Sequence, residues 1–125
     1  MPQALPLQHL HLIEFEGLGP GPLAARMLQG MGARITRIAR PSTGAVAAQL
    51  GMGNDLLDAG KTTVRLDLKN PEHRAQALAL VAQADGLIEG LRPGVMGRRG
   101  LGPADCAAVN PKLVYGRMTG WGQSG

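Results

Sequence analysis

The feature that most constrains this chain is its regular alternation of short apolar runs with segments of helical spacing. "HLHLIEF" (9–15) alternates and then turns wholly apolar, which predicts a buried first strand. "GPLAARMLQGMG" (21–32) predicts a helix: Pro22 is tolerated in a first turn, Leu23, Met27 and Leu28 keep helical spacing, and Gly30 and Gly32 can close it. "ARITRIARP" (33–41) is a β-branched strand stopped by Pro41. Residues 42–60 are small and weakly periodic and predict an irregular segment with room for one helical turn, after which "KTTVRLDLK" (61–69) reads as a strand. "NPEHRAQALALVAQAD" (70–85) predicts a helix with an Asn70 cap, Pro71 in the first position, and Ala75, Leu78, Leu80 and Val81 along one apolar side. "GLIEG" is a short buried strand, "LRPGVMGRRGLGP" is turn-rich with a helical turn, "PADCAAVNP" is a short helix ended by Asn110, and "KLVYGRM" is the last strand.

Strands alternating with helices imply an α/β fold, a Rossmann-like parallel sheet with helices on both faces, as one domain over residues 1–125. In such sheets ligands bind at the carboxyl ends of strands, which points to residues 16–22, 40–44, 89–94 and 118–125. The last strand runs into a glycine turn with no helix to cover it, so the expectation is an incomplete domain. Only Phe15, Tyr115 and Trp121 are aromatic, and the net charge of +4 is dispersed, with Arg98 and Arg99 the one adjacent basic pair. That pattern favours a polyanionic small molecule over nucleic acid. A lone Cys106 excludes an internal disulfide and a cysteine-built zinc site, and fits a reducing, cytoplasmic setting with Cys106 in the core. No apolar run approaches the roughly 18 residues that span a bilayer, and "MPQALPLQHLHL" lacks the pattern of a signal peptide.

"EFEGLGPGP" (14–22) places glycines where a strand should hand over to a helix. A dinucleotide fingerprint beginning at Gly17 and Gly19 needs a third glycine where this chain has Pro22. The same fingerprint wants a carboxylate at the end of the second strand, and Ala39 and Arg40 stand there. An arginine at that point suits a phosphate on the adenosine ribose, which both NADP and coenzyme A carry; a tight turn with a capping arginine is the plain alternative. A small NADP-binding oxidoreductase domain is disfavoured by Pro22. Arg92 in "RPGV" stands where it could pair bidentately with phosphate, with a surface salt bridge as the equal alternative. Lys61, Arg65 and Lys69 share a strand face and read as a solvated row, with Lys69 best placed for a ligand phosphate. His9 and His11 lack a third metal ligand, Ser124 lacks the rest of a nucleophile elbow, and no carboxylate forms an acid/base pair with a histidine. The residues describe a ligand site without catalytic machinery.

Four spaced blocks, "GLGPGPLAARMLQGMGARITRIARP", "KTTVRLDLKNPE", "ADGLIEGLRPGVMGRRGLGP" and "NPKLVYGRMTGWGQSG", resemble the family III CoA-transferases over about residues 7–125. "RPGVM", the following "LGP" and "RMTGWGQSG" look most like the α-methylacyl-CoA racemase branch. The resemblance implies the CoA-binding part of a Rossmann-like large domain, within a longer chain that forms an interlocked homodimer. It implies no separate cofactor, since the coenzyme A thioester is the substrate. Residue by residue, it places Arg40 on the CoA 3′-phosphate and adenosine, and Leu66, Asp67, Leu68 and Lys69 along the adenine end. Arg92 falls on the pyrophosphate, Gly19 and Pro20 on the loop over the CoA chain, and Arg98 is a further basic candidate.

Two departures bear on the site. Members of the family often carry an acidic residue just before the arginine matched by Arg40, where this chain has Ala39, which implies a less firmly oriented guanidinium. The racemases' proton-transferring His, in a "GHD" segment, and its partner Asp match positions past residue 125, so no catalytic residue is assigned. The expected function is the acyl-CoA-binding N-terminal part of a racemase-like enzyme that removes and returns the α-proton of a 2-methylacyl-CoA. A CoA-transferase moving CoA between carboxylic acids and a non-catalytic CoA-binding remnant are the alternatives.

Overall fold

In the computed structural model, which describes residues 4–17, 19–41, 59–120 and 122–123, five strands form one sheet in which every neighbouring pair is parallel. The elements run β1 (His11–Phe15), α1 (Pro20–Gly30), β2 (Arg34–Ala39), β3 (Thr62–Arg65), α2 (Pro71–Ala82), β4 (Gly86–Glu89), α3 (Val95–Arg98), α4 (Pro103–Val109) and β5 (Val114–Arg117). The sheet order is β3-β2-β1-β4-β5. β1 is therefore central and buried from Leu12 to Phe15, which is why its sequence loses alternation and becomes an apolar run.

Successive side chains on β1 serve opposite faces. Leu12 joins Ala25, Ala33 and Ile35 beneath α1, while Ile13 and Phe15 join the larger core of Ile38, Leu66, Ala77, Val81, Leu87, Met96, Leu101 and Cys106. Helices thus cover both faces: α1 one of them, α2 to α4 the other. α2 begins as its sequence dictates, with the Asn70 Oδ1 accepting the Glu72 N–H at 2.8 Å and Pro71 in the first turn.

Several expectations are corrected. β3 ends at Arg65 because Asp67 folds a turn, its carbonyl accepting the Asn70 N–H at 2.9 Å and its carboxylate the Lys69 N–H at 3.1 Å. On α2 the buried side is Ala77 and Val81, with Leu78 and Leu80 partly buried and Ala75 exposed. On α1, Leu23 and Met27 are exposed; the contact with the sheet is made by Gly21, Pro22 and Ala25, whose small size lets the helix lie close. Gly32 follows α1 at φ +110°, where a Cβ would stand 2.7 Å from that of Leu5, so both conformation and space require glycine. Residues 42–58 of the expected irregular segment lie outside the described residues.

The largest correction concerns Lys61. Its ammonium is 2.6 Å from the Glu14 Oε1, and the two side chains are 0% and 1% exposed. The same nitrogen donates to the Pro22 carbonyl at 3.3 Å. Arg65 and Lys69 are exposed, as a solvated row requires, but Lys61 leaves it because a carboxylate in the central strand needs a counter-charge in low dielectric. Replacing Lys61 by Met should cost about 3–5 kcal/mol of stability by removing the ammonium from a buried carboxylate, and Lys61→Met with Glu14→Leu should recover much of it. Urea denaturation measures both; a single variant as stable as the parent would show that the pair does not hold the fold.

Candidate binding cleft

The order of the sheet reverses direction at β1: the chain goes to β2 on one side and later returns to β4 on the other. At such a switch point the loops leaving neighbouring strands diverge and open a crevice at the carboxyl edge. A cleft of about 530 Å³ lies there. Phe15, Gly17 and the Pro20–Pro22 start of α1 form one wall, Ile88 and Gly90–Pro93 another, and Met118–Gly120 with Gly122 a third. Three of the four strand exits flagged by the sequence converge in it; the fourth, at Arg40, stands one strand further out.

The chemistry of the lining is narrow. Phe15, Pro20, Pro22, Ile88, Leu91 and Met118 make it apolar, Thr119 adds a hydroxyl, and Arg92 is its charged member among the described residues. No His, Cys, Asp or Glu is among these lining residues. Gly19 takes φ +78° at the start of α1, a conformation that favours glycine. Pro20 and Pro22 lack N–H groups, so the first three helical positions offer one backbone donor instead of three. α1 therefore begins as a lip over the cleft and not as a phosphate cradle.

Arg92 is exposed at the exit of β4, and its carbonyl accepts the Val95 N–H at 3.0 Å across the Pro93-Gly94 turn. Behind it lies Glu89, 4% exposed, whose Oε2 accepts the Leu91 N–H at 2.9 Å and whose Oε1 is 3.8 Å from the Arg117 Nε. Burial pushes this carboxyl above its ordinary value, against the opposing pull of the Leu91 N–H and Arg117. The sequence reading gave Glu89 no role. Its signal was a carboxylate ending the apolar run "GLIEG" immediately before the turn.

Arg40 has a side chain 86% exposed, with its Nε 3.1 Å from the Glu16 Oε1. Glu16 thus orients the guanidinium for which Ala39 provides no carboxylate. Asp67, Leu68 and Lys69 form the turn after β3, with the Asp67 N–H donated to the His73 Nδ1 at 2.8 Å. Leu66 is 3% exposed and belongs to the core, so its side chain does not join that rim; its N–H is held by the Ala39 carbonyl at 2.8 Å. Arg98 is exposed and folds back over the Pro93-Gly94 turn, where its NH1 would lie 2.9 Å from a Cβ on Gly94. It does not line the cleft. Because the sheet is parallel, Arg92, Glu16, Arg40 and the Asp67–Lys69 turn follow strands β4, β1, β2 and β3 along one edge. Three strand spacings separate its ends, about 14–15 Å. An apolar cleft continued by a cationic edge fits an elongated ligand with an apolar arm and separated anionic groups.

The remaining candidates fall elsewhere. His11 lies at the amino end of β1, its Nε2 2.7 Å from the Thr36 Oγ1, and burial and Arg34 lower its pKa against the effect of Asp85. His9 is exposed, and among the described residues no group of three or more His, Cys, Asp or Glu could hold a metal. Ser124 lies outside the described residues. Among those described, no helix is long and apolar enough to cross a membrane.

The strands and helices form a parallel α/β fold with a cleft at its switch point. The sequence profile of CoA-transferase family III matches residues 7–125, and the chain belongs to that family. It is 40% identical over 119 residues to α-methylacyl-CoA racemase of Homo sapiens, covering 95% of this chain and 29% of that protein. It is 35% identical over 127 residues to acetyl-CoA:oxalate CoA-transferase of Acetobacter aceti, covering 96% of this chain and 33% of that protein. The crystal structure of Rv3272 from M. tuberculosis superposes with a TM-score of 0.85 at 34% identity, covering 98% of this chain and 35% of that one. The chain thus spans about a third of the length of these relatives.

Cys106 is inert in this arrangement. It is fully buried, its Sγ 3.4 Å from the Leu101 carbonyl, and burial pushes the thiol up to about 11. The Tyr115 hydroxyl donates to the same carbonyl at 2.9 Å and is raised as well, first by burial. A raised thiol holds its proton longer in the folded state, so its contribution is complete below the unfolded value and is lost as pH rises through the folded one. The unfolding free energy should therefore fall between about pH 9 and 11 by an amount of order 2 kcal/mol from Cys106. Urea midpoints across that range should show a smaller fall in Cys106→Ala; an equal fall would exclude the thiol as its source.

Proposed function

We propose that this chain is the acyl-CoA-binding part of a racemase-like enzyme acting on a 2-methylacyl-CoA. The observation that carries the reading is the apolar cleft with Arg92 at its mouth, continued along the same edge by Arg40. On this reading the CoA chain passes beneath Gly19 and Pro20, the pyrophosphate meets Arg92, and the 3′-phosphate meets Arg40. Asp67, Leu68 and Lys69 border the adenine end. Arg98, turned back over its own loop, has a secondary part at most. Racemisation needs a thioester that acidifies the α-hydrogen, a base to remove it, stabilisation of the enolate, and an acid on the opposite face. The described lining holds no His, Cys, Asp or Glu, and on this reading the proton-transfer groups are those the family carries beyond the matched blocks, in an interlocked homodimer. The curated relatives include both racemases and CoA-transferases, and both chemistries begin from the same bound thioester.

Calorimetry should show CoA binding more tightly than 3′-dephospho-CoA by roughly tenfold or more, the scale of hydrogen bonds to charged groups. Arg40→Ala should abolish the difference while leaving 3′-dephospho-CoA unaffected, and Arg92→Ala should weaken both ligands alike. Equal affinity of the parent for the two ligands would remove Arg40 from the phosphate, and NADPH displacing CoA would overturn the choice of ligand. The 125-residue chain, incubated with (R)-2-methylacyl-CoA in deuterated water, should leave the α-hydrogen unexchanged. Exchange detected by mass spectrometry would locate a proton-transfer group in this chain and contradict the division of labour.

A further inference from the structure

We infer that Glu16 is the positioning residue that sets Arg40 for a ligand phosphate, a role that rests on the reading of Arg40 given above. Glu16 follows the last residue of β1, and its backbone remains tied to the sheet through an N–H donated to the Ile38 carbonyl at 2.8 Å. Its carboxylate meets two arginines, one in β2 and one just past its end: the Oε1 accepts from the Arg40 Nε at 3.1 Å, and the Oε2 lies 3.4 Å from the Arg37 NH2. The three side chains are unequally exposed, Arg37 at 15%, Glu16 at 24% and Arg40 at 86%. The carboxylate is thus held from the more buried side by Arg37, and it holds the exposed guanidinium from the other. The Arg40 backbone is fixed too, its carbonyl accepting from the Arg65 NH1 at 2.9 Å.

This geometry divides the Arg40 fork. The Nε side is committed to Glu16, and among the described residues the terminal NH1 and NH2 pair is the side that remains for a bidentate phosphate. A long exposed side chain loses rotamer freedom when a ligand fixes it, and a carboxylate already holding Nε leaves less to lose. Ala39 is 1% exposed and its side chain carries no acceptor, so the carboxylate comes across from the exit of β1 instead of from the residue before Arg40.

The test is the ratio of affinities for CoA and 3′-dephospho-CoA, measured by calorimetry on the parent and on Glu16→Ala, Glu16→Gln and Arg40→Ala. Glu16→Ala should lower that ratio by roughly three- to tenfold, the scale of one immobilised side chain, with 3′-dephospho-CoA binding unchanged. Glu16→Gln keeps an oxygen that can accept from Nε and should retain most of the ratio. A purely structural role would weaken both ligands together and leave the ratio alone, which overturns the inference. A ratio that rises in Glu16→Ala overturns it as well, because Glu16 would then be competing with the phosphate. If Arg40→Ala collapses the ratio while Glu16→Ala does not, the phosphate reading survives and the positioning role falls. If Arg40→Ala leaves the ratio unchanged, both fall.

Discussion

The contact between Glu14 and Lys61 is where this structure commits itself. A carboxylate in the middle strand of a parallel sheet, covered by a helix, is tolerable only with a counter-charge at hydrogen-bond distance. Lys61 supplies it from the far side of β2, and the same ammonium reaches the Pro22 carbonyl. One side chain therefore ties the central strand, the first turn of α1 and the approach to the edge strand β3. The lip of the cleft is part of that first turn, so the ion pair links the position of the cleft wall to the core.

The rest of the site follows from topology. Parallel strands bring all their exits to one edge, and reversal of strand order at β1 opens that edge into a crevice. Apolar residues at the exits of β1, β4 and β5 give the crevice its character, while the arginines stand at its mouth and one strand beyond it. Glu89 and Glu16 behave alike in this setting. Each lies at a strand exit next to β1 or β4 and spends its carboxylate on holding a neighbouring group, the Leu91 N–H in one case and two guanidinium groups in the other.

Much of this was legible in the residues. The apolar run at β1, the Asn-Pro start of α2 and the proline after β2 are local signals, and local signals place elements well. The strand exits singled out in the sequence lie along the carboxyl edge of the sheet, three of them around the cleft. What stayed hidden were the pairings between distant parts of the chain. Lys61 looks like one of three solvated lysines and arginines until β3 is set beside β2, and nothing in "EFEG" says that Glu16 will meet Arg37 and Arg40. Burial misled in the same way at Leu23, Met27 and Ala75: helical spacing finds an apolar stripe, but which side faces the sheet is decided by the small residues that let the helix approach.

The two prolines at the start of α1 have a consequence for how this site can change. A helix that opens with free N–H groups recognises phosphate with its backbone, and such recognition survives almost any exchange of side chains. Here two of the first three helical positions lack that donor, and on the proposed reading anionic groups are met by guanidinium groups that follow separate strands. Recognition of that kind is modular. On that reading a single codon would delete or move one anionic subsite while the sheet and the cleft stay as they are, so ligand preference in this framework would drift by point substitution without passing through an unfolded intermediate sequence.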